Sequence, residues 1–136
     1  MKRYTMNDIR GLITGFFFAV ITIAFISLFP KQQGLVLTAI VLACIGAVYL
    51  GFAIGEGKLR ELLVQGAFIV FILATLLIGM WFNPYFLAAG YFAHGFWDII
   101  HHSRFRIVKT QVPELYIHAC MLYDWMVGAF ILVWWR

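Results

Sequence analysis

Apolar residues fill five long stretches of this 136-residue chain, and polar residues gather in the short segments between them. Each stretch is long enough for a helix that crosses the roughly 30 Å hydrocarbon core of a bilayer. None alternates with the period of a barrel strand, and an open sheet would leave unpaired backbone groups in lipid. The pattern predicts an all-α fold: a polytopic membrane helical bundle of five transmembrane helices in one domain. The predicted spans are approximately residues 11–29, 35–54, 62–80, 84–102 and 115–135.

Small residues spaced four apart predict where some of these helices meet. The first stretch contains Gly11-x-x-x-Gly15 and the second contains Gly51-x-x-x-Gly55. Because glycine lets two membrane helices approach closely, we expect both pairs to lie at helix contacts.

Composition agrees with a membrane protein and changes how the charge is interpreted. Apolar residues make up 64% of the chain and charged residues 12%, whereas soluble domains have about 45–50% and about 25%. The net charge of +4 does not indicate a nucleic-acid partner, because the basic residues flank the predicted spans. We therefore expect the lipid bilayer as the main partner and no nucleic acid, with a homo-oligomer as an additional option.

Lysine and arginine are unevenly divided between the two sides of the predicted bundle. With the N-terminus in the cytoplasm, only Lys31 and Arg136 lie outside. The bias predicts a cytoplasmic N-terminus and an external C-terminus, because cytoplasmic loops are enriched in basic residues. The other eight of the ten basic residues then lie inside: Lys2, Arg3, Arg10, Lys58, Arg60, Arg104, Arg106 and Lys109.

Ionisable side chains interrupt the last two apolar stretches, where each costs roughly 2.5–3.5 kcal/mol on insertion scales and marks a functional-site candidate. The ionisable side chains of the fourth helix, those of His94, Asp98, His101 and His102, fall within an arc of about 100° around the helix axis. Cys120 and Asp124 share one face of the fifth helix. At about 1.5 Å per residue, His94 and Asp124 are each about 12–15 Å from the cytoplasmic surface. Imidazole, carboxylate and thiolate groups suit a transition metal such as zinc, iron or copper. The candidate metal ligands are His94, Asp98, His101, His102, Cys120 and Asp124, and the candidate catalytic residues among them are His94, Asp98 and Asp124.

Other polar residues lie near this layer. The cytoplasmic loop carries Arg104, Arg106 and Lys109, which we expect to hold an anionic lipid headgroup, although the positive-inside rule alone also explains them. Residues at similar depth that can support the site or pack the helices are His118, Glu114, Tyr91, Tyr49 and Gln65.

The two polar helices resemble a known family. The stretch His94-x-x-Trp97-Asp98-x-x-His101-His102, followed by a helix with Cys120 and Asp124, is similar to that of small bacterial inner-membrane proteins classed as a domain of unknown function. The resemblance implies a multi-pass protein of the bacterial inner (cytoplasmic) membrane and supports the site, but it brings no activity. The chain has Tyr123 where relatives often carry a second cysteine, which argues against a thiolate-rich metal site.

Three functions fit these residues. The first is a metal-dependent membrane enzyme that acts on a lipid or other apolar substrate. The second is a metal-free proton- or ion-conducting or transport protein, because Asp, Glu and His chains also carry protons. The third is a structural subunit of a membrane assembly. The predicted outer half offers only Thr22, Thr38 and Thr75 as polar steps, which favours an enclosed site and therefore the first function.

Overall fold

The structure is a computed structural model that describes residues 6–102, 105 and 107–136. The described residues form five helices and no strand, so the all-α prediction is confirmed. Most helix ends lie within a few residues of the predicted spans, although the first helix begins earlier than expected. In chain order the helices are α1 (Met6–Ile26), α2 (Lys31–Glu56), α3 (Leu59–Trp81), α4 (Tyr85–His101) and α5 (Glu114–Trp134).

Proline and glycine define several of the helix ends. Pro30, Pro84 and Pro113 directly precede α2, α4 and α5. Proline suits the start of a helix, because its fixed φ is near the helical value and the first N–H groups have no partner within the helix. At the other end of α2, Gly57 adopts a left-handed φ of 65° and its N–H donates to the Ile54 carbonyl. This backbone conformation favours glycine and ends the helix.

Among the described residues, α1, α2, α3 and α5 are long and apolar enough to cross a membrane, which is compatible with a multi-pass membrane protein. Their outer faces expose large apolar side chains such as Phe17, Phe18 and Val70, as contact with lipid requires. Helix α4 has 17 residues, about 25 Å at 1.5 Å per residue, and does not belong to this set. It is the shortest of the five, and its buried residues include His94, Asp98 and His101.

Helix α4 lies at the centre of the bundle. Helix α1 packs on α5, α5 on α4, α4 on α3 and α3 on α2, and α4 also touches α2. Three neighbours therefore cover α4, and the core beside it contains Leu42, Leu87, Tyr91 and Val127. This arrangement keeps the polar face of α4 away from lipid.

The two glycine pairs have different surroundings. A Cβ atom at Gly11 would collide with the Leu115 carbonyl and the His118 side chain, and one at Gly15 would collide with the backbone of Ala119. The first pair therefore allows α1 to approach α5, as predicted. The second prediction is wrong for the described part of the chain, where a Cβ at Gly51 or at Gly55 would meet no atom within 4 Å.

Candidate metal centre

The first two members of the candidate centre lie one turn apart on α4. His94 and Asp98 are completely buried, because α5, α3 and α2 surround this face of the helix. The His94 Nδ1 atom is 3.8 Å from Asp98 Oδ2. Spacing of four residues places both side chains on one side of a helix, so the contact follows directly from the sequence.

Helix α5 contributes the third member, Asp124, which is also completely buried. Its Oδ2 atom is 2.7 Å from His94 Nδ1, so the two side chains form a hydrogen bond across the α4–α5 interface. An ionised carboxylate can only accept, and the Nδ1–H of His94 is then the donor. One ligand atom from each of His94, Asp98 and Asp124 lies within 4.8 Å of the other two. The sequence prediction that these two helices bring a histidine and two acids together agrees with this geometry.

Three buried polar atoms of the cluster make no hydrogen bond with the described residues: His94 Nε2, Asp98 Oδ2 and Asp124 Oδ1. A buried polar atom without a partner is costly, about 1–3 kcal/mol for a neutral group and more for a charged one. A buried carboxylate normally acquires a proton, a hydrogen-bond donor or a cation. The two carboxylates lie beside the same His94 Nδ1 atom, so a cation bound between them would compensate both unpaired oxygens.

The separations are suitable for a metal ion. Two ligands that are each about 2.0–2.2 Å from zinc at a tetrahedral angle lie about 3.3–3.6 Å apart. The two distances from His94 Nδ1, 2.7 Å to Asp124 and 3.8 Å to Asp98, lie on either side of that range. A metal bound here would replace the Nδ1 proton and hold its ligand atoms at separations between these two values. The residues present thus fit a transition metal held by one imidazole and two carboxylates.

Tyr49 of α2 supports the cluster from the third side. Its hydroxyl donates a hydrogen bond to Asp98 Oδ1, and its ring meets that of His94 edge-on, with centroids 5.4 Å apart. A donor to the second oxygen of a ligating carboxylate fixes the orientation of that carboxylate. Tyr49, predicted as a supporting residue, occupies such a position.

His101 belongs to a different network. Its Nδ1–H donates to the Trp97 carbonyl at 2.7 Å, and its Nε2 lies 2.7 Å from Gln65 Nε2, which can only donate. Gln65 also accepts from Trp97 Nε1 at 3.0 Å and donates to Thr110 at 3.1 Å, and Thr110 donates to Glu61 at 3.2 Å. Both His101 nitrogens are therefore occupied by protein groups, and the structure does not bring this predicted ligand into the cluster.

The remaining predicted ligands, Cys120 and His102, lie outside the set of His94, Asp98 and Asp124. Cys120 is buried and lies one helical turn before Asp124 on α5. It borders the cluster without belonging to the set of three. His102 lies near the end of the bundle, where its ring meets that of His118 edge-on at a centroid distance of 5.0 Å.

The other supporting candidates have structural contacts. His118 Nδ1 donates to the Glu114 carbonyl at 2.8 Å and lies 3.9 Å from Asp8 Oδ1. Tyr91 donates to the Thr38 carbonyl at 2.7 Å and thereby ties α4 to α2. Glu114 was also predicted as a supporting residue. It is the first residue of α5, is half-buried and borders a polar cavity of about 400 Å³.

The predicted headgroup-binding loop is described only in part. Arg104 and Arg106 lie outside the described residues. Lys109 is exposed and borders the same polar cavity of about 400 Å³, together with His101, Thr110 and Gln111. Lys109 is therefore accessible to solvent at the end of the bundle where this cavity also borders His101.

Sequence reasoning missed Glu61, Thr110, Asp8 and Tyr116. Glu61 carried a usable signal, because it is an acid in the first turn of an apolar helix and is buried in the structure. Tyr116 also carried one, since it lies four residues before Cys120 on the same helix face. Thr110 carried none, because its contacts to Gln65 and Glu61 depend on how the loop folds back onto α3.

The chain belongs to a family described as a family of unknown function, DUF6010, whose match covers residues 10–135. The expectation of a family without an established function is thereby confirmed. No curated protein matches the chain, and no solved structure matches it either.

Proposed function

We propose that His94, Asp98 and Asp124 bind a transition metal ion, with zinc, iron and copper as candidates. We further propose that the protein is a multi-pass membrane enzyme that depends on this metal. The observation that carries the proposal is the convergence of three fully buried side chains, each with a ligand atom within 4.8 Å of the other two, in which each carboxylate keeps one oxygen without a hydrogen bond among the described residues. A divalent cation would compensate two buried carboxylates that otherwise need protons or donors.

The ligand set also leaves room for chemistry. Three protein ligands are typical of catalytic metal sites, which keep a position for water or substrate. A metal held there would polarise a substrate oxygen or activate a bound water molecule. The chain's own residues hold the carboxylates: Tyr49 orients Asp98 through its hydroxyl, and Asp124 and His94 orient each other.

The position of the cluster favours an apolar substrate. The cluster is completely buried inside a bundle whose outer helices are apolar, so a substrate dissolved in the membrane reaches it more directly than a hydrated one. We therefore propose a lipid or another apolar molecule as the substrate. The resemblance of the polar helices to small bacterial inner-membrane proteins supports the bacterial inner membrane as the location. The orientation with a cytoplasmic N-terminus belongs to this proposal.

A metal-free proton path across the membrane has less support. The hydroxyls of Thr38 and Thr75 donate to carbonyls of their own helices, at 2.8 Å to Leu35 and 2.7 Å to Ile72. Thr22 accepts a hydrogen bond from Tyr123 at 3.1 Å. The polar steps that such a path would need are thus already engaged in structural bonds.

Elemental analysis tests the proposal. The protein is purified in detergent without chelator, and we expect close to one equivalent of a transition metal. His94→Ala and Asp98→Ala should lose it, because each removes a ligand. Asp124→Asn is the sharpest variant, since it keeps the shape and some hydrogen bonding but removes the charge. We expect it to insert and fold but to retain no metal.

His118→Ala is the matched control, because it removes a buried histidine that belongs to another set of contacts and should keep the metal. If the wild-type protein carries no metal and gains no thermal stability from zinc, iron, copper or manganese, the enzyme proposal is wrong. If Asp124→Asn changes neither metal content nor thermal stability, Asp124 has only a packing role. A metal-free protein would then favour the transport or assembly function.

A further inference from the structure

A groove of about 440 Å³ lies between α1, α2 and α5. It exists because Gly15 allows α1 to pack tightly against Ala119 of α5, while α1 and α2 touch each other only slightly. Thr22 and Phe18 border it on α1, and Val41 and Ile45 border it on α2. Its floor on α5 is formed by Leu115, Tyr116, Ala119, Cys120 and Tyr123.

The floor of the groove is also the outer wall of the candidate metal centre. Cys120 lies one helical turn before Asp124 and interacts electrostatically with Asp98 and Asp124. Tyr116 meets the ring of Tyr49 at a centroid distance of 5.9 Å, and Tyr49 in turn donates to Asp98. Tyr116 and Cys120 therefore line the groove and also adjoin residues of the cluster or its support.

The open side of the groove faces hydrocarbon if α1 and α2 span the membrane, as their length and composition allow. Its walls are mostly apolar, and Phe18 at its edge is largely exposed. A second helix is a poorer fit, because membrane helices meet through small residues. The two glycines of α1, Gly11 and Gly15, already pack against α5.

We propose that the groove binds the hydrocarbon chain of a membrane lipid, which enters laterally between α1 and α2 and brings its reactive part to Tyr116 and Cys120. This inference rests on the proposed function and names its substrate class. Tyr116 and Cys120, four residues apart on α5, supply polar groups on the groove floor. They are positioning residues, because they lie between the lipid and the carboxylates.

Photolabelling tests the groove directly. The full-length protein is reconstituted in phosphatidylcholine vesicles that contain a phospholipid with a diazirine on its acyl chain. After irradiation, mass spectrometry locates the labelled residues. We expect labelling on the groove face of α5, from Leu115 to Tyr123. Val41→Trp fills the groove from α2 and should remove most of that labelling, with unchanged metal content.

Val70→Trp is the matched control, because it makes the same substitution on an exposed position of α3 and should keep the α5 labelling. Ile45→Trp fills the groove from α2 one helical turn away and replaces Val41→Trp if that variant fails to fold. Persistent labelling in a folded groove-filling variant overturns the inference. A wild-type protein that carries no label on α5 also overturns the inference. If labelling behaves as expected but the wild type carries no metal, the proposed function fails and the lipid site remains.

Discussion

The two buried histidines of α4 show that surroundings, rather than residue type, determine which of them can bind a ligand. His94 and His101 lie two turns apart on the same helix and are both buried. Both nitrogens of His101 have protein partners, Trp97 and Gln65, whereas Nε2 of His94 has none among the described residues. Helical periodicity places both on one face but cannot distinguish them, because Gln65 comes from another helix.

Tyr49→Phe should weaken the metal site without removing a ligand. The substitution deletes the hydrogen bond to Asp98 and leaves a buried carboxylate oxygen without this donor. Loss of such a supporting bond typically lowers metal affinity about 10–100-fold, and we expect a reduction of this size. Competition with a chelator of known affinity measures it.

Tyr91→Phe is the control for this prediction. It also removes a buried tyrosine hydroxyl, which donates to the Thr38 carbonyl at 2.7 Å and not to the cluster. Its thermal stability should fall, because the carbonyl loses its donor, but its metal affinity should match the wild type. Equal affinity in Tyr49→Phe and the wild type would show that the tyrosine only packs against the site.

At the scale of helices, one sequence pattern has two outcomes. Gly11-x-x-x-Gly15 and Gly51-x-x-x-Gly55 are indistinguishable as patterns, yet only the first lies at a helix contact. We expect Gly15→Val to destabilise the protein by about 1–3 kcal/mol through overpacking against Ala119. Thermal unfolding of the detergent-purified protein checks this expectation.

Gly55→Val isolates the packing effect. Both substitutions replace a helical glycine with the same β-branched residue, so their intrinsic effects on the helix are similar. Only Gly15→Val introduces a collision, because the position of a Cβ at Gly55 is open. Equal unfolding temperatures for the two variants would contradict the close contact of α1 with α5.

The helices themselves could be predicted because apolar stretches and prolines are local signals. Their ends agree with the predicted spans within a few residues in most cases, and Pro84 and Pro113 directly precede α4 and α5. The cluster was also predictable, since charged side chains in apolar helices are rare enough to identify. The network of Glu61, Gln65 and Thr110 was not, because it depends on contacts between a loop and two helices.

At the scale of the whole molecule, the order of packing explains how a polar helix is accommodated. Helix α4 is short, but α5, α3 and α2 cover it, and its His94 and Asp98 are fully buried. The apolar residues of the surrounding helices face outward and provide the surface for lipid. Hydropathy gives no information on which helices become neighbours, so the central position of α4 emerges only from the structure.

The structure gathers several chain segments at one end of the bundle. Gln111 donates its backbone N–H to Glu56, and Thr110 donates to Glu61. These bonds place the loop between α4 and α5 beside the turn between α2 and α3. Asp8 lies 3.9 Å from His118 near the start of α5, so the beginning of α1 is at this end as well. Basic residues are concentrated in these segments: Arg10, Lys58, Arg60 and Lys109.

This grouping leads to a prediction of orientation. Because basic residues are retained in the cytoplasm, the end that carries them should be cytoplasmic and Arg136 should lie outside. Alkaline phosphatase, which is active only outside the cytoplasm, should therefore be active when fused after Arg136 and silent when inserted in the loop of residues 103–113. A fluorescent protein that folds only in the cytoplasm is the complementary control and should give the opposite result. The reverse pattern would contradict the orientation, and phosphatase activity at both positions would mean that α4 and α5 do not both cross the membrane.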